Sequence, residues 1–198
     1  MFAENDAINV LIVSGSLKGA GYISGILSDE NFRSVQTVYD AGEAKRILVN
    51  KSIDIVLINT PLTDELGVDL ALDAAKNDFI GILLLVSGDL YDQISVMVGK
   101  AGILTLQKPA SKQLIIQSMK LLTAAVTKIA SIHKKSVSLE SRMEDIRIIN
   151  RAKLILIEHH FMSESQAHRY IERSAMDTCV KRREIAENII HAHENNEK

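Results

Sequence analysis

Lys181, Arg182 and Arg183 are the side chains best placed for chemistry in this 198-residue chain. They fall in the first turn of an expected helix, where each positive charge opposes the helix macrodipole by ~0.3–1 kcal/mol. A bound phosphate would account for that placement, because helix N-termini also favour anions. A solvated turn offset by Asp177, Glu184 and Glu187 accounts for it equally well. His159, His160 and His168 invite a metal reading, but adjacent histidines point apart on a helix and no acid or thiol completes the set. They are read as surface or turn residues whose protonation below pH ~6.5 would add charge. Cys179 is the single cysteine, so an intramolecular disulfide and a cysteine-based metal cluster are excluded, and an inert thiol is expected. Gly19-Ala20-Gly21 and Gly25 form GxGxxxG, with Asp40 about where a ribose-binding acid would stand. Gly19 lies five residues beyond Ser14, however, too far from a strand end for a dinucleotide turn, and no Gly-Lys-Ser/Thr follows Gly15. These glycines are read as a loop and helix start. No nucleophile–base pair or metal set emerges, so neither an enzyme nor a cofactor is expected.

Length and composition bound what can position such groups. The chain suits one ordinary domain and a smaller one. At 46% hydrophobic and 24% charged it is globular and not disordered in composition. A net charge of −2 gives no global pull toward nucleic acid or acidic membranes, but the charge is uneven. Residues 1–111 carry 8 Lys+Arg against 14 Asp+Glu, residues 112–139 carry 5 Lys and no acid, and residues 140–198 carry 10 basic against 11 acidic groups. MFAENDAINVLIV has acids where a secretory leader has bases, and no uninterrupted apolar run approaches the ~18–20 residues of a membrane span. A cytoplasmic location is expected.

Ile8 to Val13, Ile53 to Ile58 and Ile80 to Val86 are continuous apolar runs, the pattern of strands buried on both faces, and Ile103 to Leu106 is a weaker one. Helical patterns separate them, one of them with Asp40 and Glu43 spaced to cap it reciprocally. Alternation of this kind predicts a parallel sheet covered on both sides, five strands in flavodoxin-like order.

Residues 8–125 resemble a response-regulator receiver domain. Asp54-Ile-Val-Leu-Ile-Asn59-Thr-Pro61-Leu matches the third strand and its proline-containing loop, Ser87-Gly88 the end of the fourth strand, and Lys108-Pro109 the end of the fifth. The resemblance makes Ser14, Gly15, Ser87 and Lys108 the equivalents of the receiver pocket. The acidic pair after the first strand is replaced by Ser14-Gly15, the phosphoacceptor position by Asn59, and Thr105 stands where an aromatic switch residue is common. An amide is no nucleophile for phosphoryl transfer, and a hard Mg²⁺ ion loses its oxygen ligands without carboxylates. Residues 1–111 are therefore expected to form a pseudo-receiver, with Lys108 bonded to Asn59 or nearby carbonyls.

From Ser111 to about His160 neither Pro nor Gly interrupts a strong helix propensity. Ile115, Met119, Leu122, Val126 and Ile129 recur at coiled-coil spacing, and Ile132, Leu139, Met143 and Ile146 continue it in an offset register. Packing of Ile115 to Val126 on the sheet is the simplest role for the first turns. Beyond Ala130 no sheet is expected to cover Ile132, Leu139 and Met143, so residues 112–139 are read as a coiled-coil linker of a homodimer.

Three helices fit the remainder. Ile148, Ala152, Ile155 and Leu156 form the first apolar arc, with Arg147 and Arg151, four apart, roughly opposite. Ser163 with Gln166 forms a capping box, and Ala167, Tyr170, Ile171 and Ala175 the next buried stripe. Asp177 or Thr178 is expected to cap the last helix, which turns Ile185, Ala186, Ile189 and Ile190 inward. Tyr170 is expected in the core more than stacked on a looped-out base.

Residues 140–192 resemble the ANTAR output domain, named for transcription antitermination regulators. Ala152-Lys153, Leu156, Ser163-Glu164, Ala167, Arg173, Ala175-Met176-Asp177, Lys181-Arg182 and Ile185-Ala186 carry the match. Leu154 departs from it, standing where the family usually has glycine. The resemblance implies a three-helix domain over 140–198 that binds paired stem-loops in nascent transcripts and so keeps a terminator from forming. Arg147, Arg151, Lys153, Arg173 and Lys181 to Arg183 are the candidate RNA contacts. The implied system is a cytoplasmic two-component regulator, with a sensor protein or ligand acting on the receiver lobe. A helix-turn-helix regulator of DNA and a protein-interaction adaptor without nucleic-acid binding are the rivals.

Overall fold

A computed structural model describes residues 8–30 and 32–196. The acidic start read against a leader, residues 1–7, and the last two residues of the expected output domain lie outside them. The chain divides into two compact units, residues 1–131 and 132–198.

The first unit alternates strand and helix as the apolar runs predict. Its elements are β1 (Asn9–Ser14), α1 (Leu17–Leu27), β2 (Ser34–Val38), α2 (Ala41–Asn50), β3 (Ile55–Asn59), α3 (Val68–Ala74), β4 (Gly81–Ser87), α4 (Gly88–Gly99) and β5 (Leu104–Lys108). The five strands are parallel in the order β2-β1-β3-β4-β5, the flavodoxin-like order. Strands β1, β3 and β4 read as unbroken apolar runs because both faces are covered. One side packs under α2, α3 and α4 through Ala44, Leu70, Ala71 and Val98. The other packs under α1 and the start of α5 (Lys112–His160) through Ile23, Leu27, Ile115 and Met119.

Helix α5 joins this unit through its first turns, as the sequence suggests. Ile115, Met119, Leu122 and Val126 are all buried against the sheet, so the heptad-like spacing there serves the lobe's own core. By length and composition α5 also contains a window apolar enough to cross a membrane, at mean hydropathy 1.3, although polar residues interrupt its apolar runs. The start of the same helix supplies core residues to the first unit. Two of the five lysines in residues 112–139 are held by acids of the same unit, Lys112 by Asp29 at 3.2 Å and Lys120 by Glu30 at 3.3 Å.

The capping of α2 differs from the reciprocal pair expected. Asp40 accepts the Glu43 amide at 2.6 Å, but the free amides of Ala41 (2.9 Å) and Gly42 (3.2 Å) go to Asp64, from the loop after β3. Those two bonds hold the Asp64 carboxyl below its ordinary pKa of 3.8. The glycines of GxGxxxG lie inside α1, not in a loop before it.

The second unit comprises the end of α5, α6 (Glu164–Asp177) and α7 (Arg182–Asn196). Its core is Ala152, Leu156, Ala167, Ile171, Ala186 and Ile190. Three of these are alanines with no exposed surface, which lets helix backbones approach closely. Ser163 and Gln166 form the expected capping box, each side chain accepting from the other's backbone amide. The last helix starts later than expected: Asp177 ends α6 and Thr178 caps its C-terminus, so neither caps α7. On α5, Ile132, Leu139, Met143 and Ile146 are each more than half exposed.

Candidate functional site

Parallel register brings the receiver-equivalent positions together. Ser14 pairs with Asn59 at the ends of β1 and β3, and Ser87 pairs with Lys108 at the ends of β4 and β5. Lys108 Nζ donates to Asn59 Oδ1 at 3.2 Å and to the Thr60 carbonyl. Asn59 Nδ2 donates to Ser14 Oγ at 3.0 Å, and Ser14 Oγ donates to the Ser16 carbonyl at 3.2 Å. The amide suits this relay because it accepts from the ammonium with one end and donates to the hydroxyl with the other. A carboxylate at position 59 could not donate to Ser14.

Backbone and side chains crowd the glycines beside this relay. A side-chain carbon at Gly15 would lie 2.7 Å from the backbone of Pro61 and Leu62, and one at Gly19 would lie 2.6 Å from Asn59 Nδ2. Burial pushes the Lys108 ammonium below its ordinary pKa of 10.5. Lys108 thus bonds to neutral oxygens, as the sequence suggests. Thr105, at the switch position, is buried with its hydroxyl unpartnered.

In the second unit the seven candidate cations do not share one face. Lys181, Arg182 and Arg183 do come together, joined by Arg142, around a cleft of about 770 Å³ whose floor includes Ile146, Ala175 and Val180. Lys181 directly precedes α7, and Arg182 and Arg183 open it. Arg182 is tied to Glu172 at 3.0 Å, and Arg183 to Glu187 at 2.7 Å and Asp145 at 3.0 Å, pairings that raise the Arg183 pKa. Elsewhere Arg147 meets Glu144 at 3.5 Å, Arg151 meets Glu194 at 2.9 Å, and Lys153 meets Glu164 at 3.1 Å. Arg173 and Lys181 have no carboxylate partner among the described residues.

Tyr170 corrects the sequence reading. It is 47% exposed, whereas Ala167, Ile171 and Ala175 are buried. The Tyr170 ring lines the open side of a cleft of about 660 Å³ with Leu156, His159, Met162, Ile189 and His193 instead of filling the core. Arg169 and Arg173, four apart on α6, are exposed on the neighbouring face of the helix, and Arg169 too lacks a carboxylate partner among the described residues. Sequence reasoning missed Arg142 and Arg169. The i, i+4 spacing of Arg169 and Arg173, which puts two cations on one helix face, was the signal available.

His159 and His193 stack edge to face with ring centroids 4.1 Å apart, and His168 lies 3.4 Å from Glu172. Cys179, in the turn before α7, is exposed with a positive φ of 55°. Leu154 is 55% exposed.

Comparisons with known proteins divide along the same lines. Residues 138–190 match the family model of the ANTAR domain. The chain is 24% identical over 168 residues to the transcriptional regulatory protein PdtaR of two Mycobacterium tuberculosis strains, CDC 1551 / Oshkosh and H37Rv, covering 85% of this chain and 82% of theirs. Among solved structures, the signal receiver domain of an HD domain-containing protein from Pseudomonas fluorescens Pf-5 superposes with a TM-score of 0.59 at 17% identity, covering 66% of this chain and 97% of that one. The CheY-like receiver domain protein of Methanospirillum hungatei JF-1 gives a TM-score of 0.55 at 21% identity, covering 61% and 97%. A receiver-fold lobe followed by an ANTAR domain at 138–190 gives this chain the architecture of an ANTAR response regulator.

Proposed function

We propose that this regulator binds stem-loop RNA in nascent transcripts and relieves transcription termination. The observation that carries the reading is the ANTAR domain itself, with Arg169, Tyr170 and Arg173 exposed together on α6. An exposed aromatic offers a stacking surface for an unpaired base, and two cations without carboxylate partners on the neighbouring helix face offer phosphate contacts. Lys181, Arg182 and Arg183 supply a second basic edge. Their exposed ion pairs are worth only ~0–1 kcal/mol each, so phosphate can displace the carboxylates. Arg147 and Arg151 are peripheral contacts by the same reasoning, and Lys153, whose side chain is only 15% exposed, is a further candidate contact.

The receiver-fold lobe takes neither Mg²⁺ nor a phosphoryl group. Asn59 is no nucleophile, and the backbone at Pro61–Leu62 leaves no space for an acid at position 15. Incubation with a small phosphodonor and Mg²⁺, followed by intact mass, should show no added phosphate. A sensor protein or ligand acts on this lobe instead. The molecule is cytoplasmic and not an enzyme, in keeping with the regulatory nature of both domain types. It is organised as a pseudo-receiver (1–111), a linker (112–139) and the RNA-binding domain (140–198).

Two copies associate through α5. Ile132, Leu139, Met143 and Ile146 form an exposed apolar stripe that a second copy covers at coiled-coil spacing. Pairing doubles the basic face of a domain whose own charge is near neutral. Sedimentation of the full chain at micromolar concentration should show a dimer, and Leu139→Glu with Met143→Glu should give monomer.

Fluorescence anisotropy of the full chain with stem-loop RNA and with duplex DNA, at about 0.15 M salt, tests the function. Preference for RNA is expected. Preference for duplex DNA would establish the helix-turn-helix alternative, and binding to neither would leave a protein-interaction adaptor.

A further inference from the structure

Beside the relay of Ser14, Asn59 and Lys108 lies a cavity of about 590 Å³. Its volume falls within the ~300–1,000 Å³ range of small-molecule sites. The only formally charged side chain lining it is Lys108, and no carboxylate does. An ammonium has three donors, and Lys108 spends two on neutral oxygens, of Asn59 and Thr60. The charge is partly desolvated and has no counter-ion, an arrangement that costs free energy until an anion arrives.

A second polar group faces the same space. Ser87 precedes α4 but does not cap it, and its hydroxyl has no hydrogen-bond partner among the described residues. The other walls are mainly apolar, from Tyr22, Ile23, Leu85 and Ile115. Tyr22 is 53% exposed, a large aromatic surface at the cavity's side. The amide of Asn59 is already committed to Ser14, which fixes its oxygen toward Lys108 and leaves the third ammonium donor for a ligand.

We propose that this cavity binds a small monocarboxylate with an apolar body, its carboxylate on Lys108 Nζ and Ser87 Oγ and its body against Tyr22, Ile23 and Ile115. One positive charge matches one negative charge, and the apolar walls favour an organic acid over inorganic phosphate. The site belongs to the receiver-fold lobe alone and stands whether or not the chain binds RNA. It supplies this lobe with a chemical input in place of phosphoryl transfer.

The test is ligand-observed NMR and titration calorimetry on the full chain with phenylacetate, hexanoate and inorganic phosphate. Binding of either carboxylate more tightly than phosphate is expected, with Lys108→Met weakening it at least about tenfold. Asn59→Asp should do the same by giving the ammonium an internal counter-charge, and it keeps the lysine where Lys108→Met removes it. Thermal melts establish that each variant is folded. Failure of both carboxylates to bind at about ten millimolar, unchanged binding in folded Lys108→Met or Asn59→Asp, or tighter binding of phosphate would each overturn the proposal.

Discussion

The receiver-type pocket and the ANTAR surface use polar groups in opposite ways. The pocket gathers few of them, half-buried, and satisfies them with neutral partners, so one uncompensated ammonium dominates its electrostatics. The ANTAR unit carries many charges on its surface and pairs most of them with carboxylates at 2.7–3.5 Å. Burial makes a single substitution decisive in the first case, because a desolvated charge cannot be screened. Exposure makes charges exchangeable in the second, since water and salt hold each ion pair near zero net worth. Charge counting along the sequence therefore misjudges both regions. The acidic N-terminal unit has a locally positive pocket, and the neutral C-terminal unit has a locally basic helix face.

Core substitutions should give the largest effects in this comparison. Leu57→Ala in β3 and Leu156→Ala in α5 each create a cavity at a buried site, with an expected cost of ~2–5 kcal/mol by urea denaturation. The two should act on different units, so hydrogen exchange should loosen around the sheet in one and around α6 and α7 in the other. A uniform loosening in both would break the separation into two units.

RNA affinity comes next. Arg169→Ala with Arg173→Ala should weaken stem-loop binding by about tenfold or more and lower the slope of log K against log salt by roughly 0.7–0.9 per lost contact. Arg182→Ala should weaken it less, because Glu172 already competes for that guanidinium. The reverse order would return the site to the Lys181–Arg183 turn. Tyr170→Leu should reduce affinity without the change in salt slope if the ring stacks on a base.

Ser163→Ala removes half of the capping box of α6 and should cost ~1 kcal/mol in thermal or chemical denaturation. A smaller pH effect separates the pocket from the surface. Burial lowers the Lys108 pKa from 10.5, so the folded state binds fewer protons than the unfolded state in the window just below that value. Stability should therefore rise with pH as it approaches 10.5, and Lys108→Met should remove that rise. Asp64 has the opposite window. Its pKa lies below 3.8, so its contribution is complete above 3.8 and lost as pH falls through the lower folded value, a loss absent in Asp64→Asn.

Much of this architecture was legible because it is encoded locally. Unbroken apolar runs mark β1, β3 and β4, and Ser163 and Gln166 find each other within one turn. Asn59 and Lys108 could be paired from the sequence only through the receiver resemblance. They lie 49 positions apart, and nothing in their spacing brings them together without the sheet register. The caps of α2 show the same limit from the other side. Glu43 was the local candidate for a partner, but Asp64, more than twenty positions away, reaches the free amides first.

The basic turn of Lys181, Arg182 and Arg183 shows what each level of structure contributed. Residue types and helix phase were enough to place these cations at the start of a helix and to suggest anions as their ligands. Helix spacing already offered Glu187 to Arg183, but tertiary packing decided that Arg182 is tied to Glu172 and Arg183 also to Asp145, acids that sequence spacing does not assign to them. Packing also decided that Tyr170 lies half exposed at a cleft with His159, Met162 and His193, while Ala167, Ile171 and Ala175 of the same helix fill the core. Local sequence determines which groups a helix carries. Which of those groups meet a partner depends on distances between helices, and only the packed core sets them.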